Sequence, residues 1–306
     1  MTYEEALLDI VRSDERYVVL TAENKAAMRN IPPPLGDRFI DVGIAEQTLV
    51  GIAAGLALSG RVPIVHALAA FLTMRAYEFI RTDVGFGRLP VKLVGGVPGI
   101  LSEANGPTHQ ALEDAGLMRM IPGFQVFCPA DEIDLVLGLR AAIESPAPVY
   151  IRHNGLRPHA ASHAPFAWGR AETLAEGGDL AILAYGPLLA EVIQARQVLE
   201  GFGIRARLVN LRTTAPLDEA ALEAAARDFP LVVTVEDHYL ESGLAGIFRS
   251  FCFDRRLRPE HLAIGFDRRF FAPALLRPLL KHEELTGPAL AGRILEFWHR
   301  LPKRKD

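Results

Sequence analysis

A single glutamate opens an almost uncharged helical pattern in DVGIAEQTLVGIAAGLALSG, residues 41–60, where the fourteen residues after Glu46 carry no charge. A β-branched run ends near Val42. That puts Glu46 at the carboxyl end of a strand, where ligands gather in open α/β sheets. Two readings stand. Glu46 is either a first-turn residue favoured by the helix dipole by about 0.3–1 kcal/mol, or a carboxyl group pressed against an apolar helix and suited to exchange a proton near neutrality. A second segment, GILSEANGPTHQALED at 99–114, places His109 just after an Asn-Gly-Pro turn. A loop histidine serves as an acid or base, as a donor to a developing oxyanion, or equally as a cap for local carbonyls. In a third, AAFLTMRAYEFIRTDVG at 69–85, Phe71, Met74 and Tyr77 span about 120° of one helix face. Core packing accounts for such a stripe more readily than a ligand shelf does, and Arg75, Arg81 and Arg88 are either phosphate ligands or solvated charges.

These residues need strands and helices to hold them. Short β-branched runs occur at 17–21, 38–42, 62–67, 90–97, 124–128 and 148–152, with helix-length patterns at 44–59, 69–85 and 130–144 between them. The alternation stops in NGLRPHAASHAPFAWGR, 154–170, which reads as a linker. It resumes with strands at 180–186, 204–211, 230–236 and 261–266 and helices at 187–200, 217–227 and 286–300. The expected fold is α/β, two tandem domains with mostly parallel sheets flanked by helices, at 1–165 and 172–306.

Composition removes several function classes. Over 306 residues, 33 Lys plus Arg stand against 37 Asp plus Glu, a formal charge of −4, with no basic stripe for nucleic acid. The longest apolar run, 49–58, falls short of the roughly 18–20 residues of a membrane span. MTYEEALLDI is acidic and amphipathic and does not read as a signal peptide. Cys128 and Cys252 make no disulfide framework, and a cytoplasmic location is expected. No GxxxxGK[ST], HExxH, GxSxG or Cys/His metal spacing occurs, and no GxGxxG opens a helix.

Six segments taken together carry a resemblance: DVGIAEQ, FLTMRAYEFIR, NGPTHQALED, FCPADE, PVYIRHN and VVTVEDH, in that order. In them the chain resembles the thiamine-diphosphate enzymes of the transketolase and 1-deoxyxylulose-5-phosphate synthase group, from about Tyr17 to the 290s. The resemblance implies a thiamine-diphosphate-binding (pyrimidine-binding) domain followed by a transketolase C-terminal-like domain. No Gly-Asp-Gly with its following Asn is present; Gly36-Asp37-Arg38 and Gly178-Asp179-Leu180 do not match. A split enzyme is therefore expected. An N-terminal subunit with the GDG motif would supply the Mg²⁺ and diphosphate ligands, in an α2β2 assembly that includes a dimer of this chain.

The resemblance also implies roles, residue by residue. Glu46 matches the glutamate that hydrogen-bonds the aminopyrimidine ring nitrogen and favours the tautomer able to deprotonate the thiazolium carbon. Phe71, Met74 and Tyr77 match the wall around that ring, with a thioether where an aromatic is common. His109 matches a histidine beside the substrate carbonyl and hydroxyls. Arg152 matches a ligand of the sugar phosphate, and Arg75 one that contributes to substrate binding in the synthases. Asn105 stands where an aspartate usually contacts the sugar hydroxyl, and no histidine occurs near Val97. Both departures point away from an ordinary pentose phosphate and toward a modified sugar.

The expected activity is thus transfer of a two-carbon ketol unit from a ketose donor to an aldose acceptor. A synthase-like subunit and the β subunit of a 2-oxo-acid dehydrogenase are the enzyme alternatives, GPTHQ speaking against the latter. A non-catalytic subunit retaining the fold is the third, opposed by the joint presence of Glu46 and His109. Glu236 and His238, at the end of VVTVEDH, read as structural or interface residues.

Overall fold

The computed structural model describes residues 1–158 and 163–301. Its strands are β1 (Tyr17–Thr21), β2 (Phe39–Asp41), β3 (Val62–Leu68), β4 (Lys92–Gly96), β5 (Gln125–Phe127), β6 (Val149–His153), β7 (Glu172–Ala175), β8 (Leu180–Ala184), β9 (Ala206–Asn210), β10 (Thr213–Ala215), β11 (Leu231–Tyr239) and β12 (Glu260–Phe266). They form a seven-stranded sheet, β10-β5-β6-β4-β3-β1-β2, and a five-stranded sheet, β12-β11-β8-β9-β7. Each is parallel but for one antiparallel edge strand, β10 against β5 and β7 against β9. Strands β1, β4 and β8 are buried along their whole length, as continuous apolar runs covered on both faces must be.

Strand alternation sorts the first sheet into two layers. Val18, Leu20, Val65 and Leu93 face the layer containing the helix Glu46–Leu58, while Tyr17, Val19, Ile64 and Val94 face the helices Tyr3–Ser13 and Glu132–Glu144. The acidic N-terminus forms the first of these helices, begun by a reciprocal cap between Thr2 and Glu5. The 69–85 segment is not one regular α-helix. It winds as two π turns, Phe71–Arg75 and Ile80–Gly85, around a short α turn at Tyr77–Phe79. Among the described residues, no helix is long and apolar enough to cross a membrane.

Two features tie together the regions the sequence divides. Strand β10 lies beyond the 165/172 boundary yet completes the first sheet. Without it the β5 edge would present unpaired backbone groups, and the Cys128 amide, next to β5, donates to Arg212 O at 2.7 Å. The 154–170 segment is tied down where it is described; residues 159–162 lie outside the described residues. Asn154 donates to Pro129 O and Ala130 O, His163 bridges Asp131 and Glu172, and Phe166 and Trp168 pack tilted and edge-on against Phe127.

Candidate active site

Glu46 is placed by a short bend after β2. Gly43, at φ +72°, turns the chain, its amide donating to Asp41 Oδ1. Three residues later Glu46 becomes the first residue of its helix and is 3 % exposed. A carboxylate so placed profits from the helix N-terminus. Its counter-charge is Arg75, whose Nη1 donates to Oε2 at 2.9 Å. The Arg75 guanidinium also lies 4.4 Å from the Phe71 ring centroid. Phe71 in turn meets His109 edge to face, with centroids 4.9 Å apart. Residues distant in sequence thus form one continuous row: Glu46, Arg75, Phe71, His109.

His109 is carried by a 3-10 segment, Glu103–Thr108, that depends on Gly106. Gly106 has φ +68°, and a Cβ there would stand 2.6 Å from Pro273 Cγ, so the turn and the packing both require glycine. The half-buried His109 ring has Nδ1 2.8 Å from Thr108 Oγ1. Its Nε2 has no protein partner among the described residues. Exposed Asn105 sits on the same segment, its amide 3.5 Å from Ser102 Oγ.

The Phe71–Met74–Tyr77 stripe divides. Because a π turn holds more residues than an α turn, the three side chains do not share one line. Phe71 faces His109, Met74 lines a small cavity with Pro107, Phe270 and Phe271, and Tyr77 packs on the core with its hydroxyl 3.3 Å from Leu117 O.

Arg152, expected as a phosphate ligand, is enclosed in this structure. It is 1 % exposed, and its donors are consumed: Nε by Asp114 at 2.9 Å, Nη1 and Nη2 by Asp237 at 2.8 and 3.3 Å. Three of its five N–H groups are so engaged, and its burial closes the other two to a phosphate in this structure. The cluster joins the two halves of the chain. Burial pushes the Asp237 carboxyl of this cluster up to about 6 despite Arg152, and neighbouring Glu236 up to about 8. Glu236 accepts from the Leu244 and Ala245 amides, and His238 Nε2 accepts from the Gly116 amide at 3.1 Å. Both are fully buried at the seam.

Sequence reasoning overlooked a larger cavity, of about 480 Å³, at the carboxyl ends of β1, β4 and β6. Tyr3, Asn24, His66, Val97, His153 and Asn154 are among its walls. Tyr3 OH lies 2.6 Å from His66 Nε2, and its ring packs against His153 at 4.5 Å. Burial pulls His66 down to about 3, helped by neighbouring His153, and His153 down to about 4, so both rings are neutral. The β-branched Val97 is held at φ +55°, and Glu23, beside Asn24, at φ +57°. Strain of this kind clusters at functional sites. No spacing rule links Tyr3 to His66; the tertiary fold alone brings them together. Among the described residues, no group of three or more His, Cys, Asp or Glu side chains could hold a metal ion. What the Glu46 row offers a planar cofactor ring is one buried carboxylate with an aromatic face beside it.

Comparison with known proteins gives a consistent result. The profile "Transketolase, pyrimidine binding domain" matches residues 1–155, and "Transketolase, C-terminal domain" matches 169–268. The chain is 39 % identical to the 6-deoxy-6-sulfo-D-fructose transketolase subunit SqwH of Clostridium sp. (strain MSTE9), covering 100 % of this chain and 94 % of the relative. It is 34 % identical to a 1-deoxy-D-xylulose-5-phosphate synthase of Synechococcus sp. (strain RCC307), over 96 % of this chain but 47 % of the synthase. Among solved structures, one titled a split gene transketolase, inactive beta4 tetramer, superposes with a TM-score of 0.88 at 31 % identity, over 97 % of both chains.

Proposed function

The chain belongs to the transketolase family, and from that premise we propose that it is the pyrimidine-binding and C-terminal subunit of a cytoplasmic thiamine-diphosphate-dependent transketolase. Its reaction moves a two-carbon ketol unit from a ketose donor to an aldose acceptor. A partner chain with the GDG motif supplies the diphosphate and Mg²⁺ ligands, within an α2β2 assembly. The observation that carries this reading is Glu46, buried at the start of an apolar helix and joined through Arg75 and Phe71 to His109.

When bound, thiamine diphosphate supplies the carbon nucleophile that carries the two-carbon unit. Glu46 presents a fixed acceptor, or a shared proton, to the aminopyrimidine ring nitrogen, screened from water by its helix. Phe71 offers the ring a face, and Met74 and Tyr77 set the position of that turn. His109, with Nδ1 engaged by Thr108, has Nε2 for proton exchange at the substrate carbonyl or hydroxyls. Asn105, on the same segment, reads a sugar hydroxyl with a neutral amide.

The 480 Å³ cavity is a second polar recess at strand ends of the same sheet, and none of Glu46, Arg75, Phe71 or His109 lines it. Its Tyr, Asn and neutral His groups offer hydrogen bonds, and exposed Arg29 is the cation on its wall. With Arg152 engaged by Asp114 and Asp237, the neutral amide of Asn105 is the feature of the site that favours a modified ketose. The name of the SqwH relative, which specifies a 6-deoxy-6-sulfo ketose, supports both a subunit role and such a donor. A synthase-like reaction is the second reading, favoured by the position of Arg75 beside Glu46.

The test is reconstitution with a GDG-bearing partner and assay with ketose donors. Glu46→Gln should fold normally but lower kcat by about 10²–10⁴-fold, the size of a lost proton-transfer contribution. The chain without its partner should show no turnover. Most of the kcat surviving the substitution would remove Glu46 from the mechanism.

A further inference from the structure

We propose that Arg75 is a built-in competitor of the cofactor, occupying Glu46 and Phe71 until the aminopyrimidine ring displaces it. The inference rests on the preceding functional reading and adds a regulatory contact to the same site. Glu46 is 3 % exposed, and its one partner among the described residues is Arg75 Nη1, 2.9 Å from Oε2. The same guanidinium lies 4.4 Å from the centroid of Phe71. A guanidinium is planar and delocalised, donates N–H groups from its edge and lies against aromatic faces. An aminopyrimidine ring bonded to Glu46 and stacked on Phe71 makes the same two kinds of contact. Both planar groups cannot use that carboxylate and that face together.

The attachment of Arg75 suits displacement. Its backbone is held to the site, because Gln47 Nε2 donates to Arg75 O at 3.3 Å. Its side chain is 47 % exposed and has no second carboxylate among the described residues. The head can swing into solvent without repacking the core. Until then the pair neutralises a buried carboxylate that would otherwise lack a partner. The cofactor-free site is thereby kept ordered, at a cost in apparent cofactor affinity, since only the arginine-out fraction is competent to bind.

The measurement is calorimetric titration of thiamine diphosphate, with Mg²⁺, into the purified two-subunit complex, alongside stopped-flow association rates. Arg75→Met should bind the cofactor about tenfold tighter and associate faster than wild type, with Arg75→Lys intermediate. Far-UV circular dichroism confirms folding, and Arg75→Gln substitutes if the Met variant is misfolded. Equal or weaker binding by the folded variants, with wild-type binding intact, would overturn the competitor role alone. Failure of the wild-type complex to bind the cofactor would overturn the functional reading, and this proposal with it.

Discussion

Each candidate residue is defined by what shares its surroundings. Glu46 and His109 were legible because their local sequence limits where they can be: one opens an uncharged helix after a strand, the other follows a turn that only Gly106 permits. The surroundings of Arg152 were not legible, because PVYIRHN reveals nothing of Asp114 or Asp237, which approach it from elsewhere in the chain. Removing one member of a buried ion cluster strands the charges of the others, at a typical cost of about 3–5 kcal/mol. Arg152→Leu should therefore lose about that much stability in urea unfolding at neutral pH. Adding Asp237→Asn to Arg152→Leu should recover part of it. A variant with unaltered unfolding and a raised KM for phosphorylated sugars alone would restore Arg152 as a substrate ligand.

Among the elements, the helix Glu46–Leu58 is unusual in composition: it holds Gly51 and Gly55 in its interior, and a Cβ added at either would meet nothing within 4 Å. Nothing in the packing of this chain requires those glycines. Glycine in a helix interior costs roughly 0.5–1 kcal/mol relative to alanine. Gly51→Ala and Gly55→Ala should each raise the stability of the isolated chain by up to that amount, read as an increase in Tm. A lower Tm would show a close approach absent from the structure. The strands were nearly all legible, because fully buried parallel strands are continuous apolar runs whose ends coincide with turn residues. The 69–85 segment was not, since an α-helical period cannot anticipate π turns, and the stripe it suggested splits between the site, a cavity and the core.

At the scale of the whole molecule, the two halves are fastened at several points. Strand β10 completes the first sheet, Arg152 pairs across the seam with Asp237, and Asn210 donates across it to Asp134. His163, pulled down by burial but pushed up to about 10 by its hydrogen bonds to Asp131 and Glu172, adds another tie. The halves should not separate cleanly. A fragment of residues 1–165 would expose the β5 edge and leave Asp114 and Arg152 without Asp237. We expect it to aggregate or to lack a cooperative unfolding transition. A soluble fragment with a sharp transition and protected β5 amides in hydrogen exchange would show the seam to be dispensable.

The sequence by itself determined the α/β class, the order and approximate limits of most strands, the family resemblance, and the presence of Glu46 and His109 at strand or turn ends. These properties depend on periodicity, turn chemistry and short motifs, which are local along the chain. The tertiary structure alone decided that β10 belongs to the first sheet, that Arg152 is enclosed, that Tyr3, His66 and His153 share a cavity, and that Arg75 lies between Glu46 and Phe71. Each is a contact between segments far apart in sequence. Burial, counter-charges and shared faces exist only once the sheets have closed over them, so no local signal could carry them.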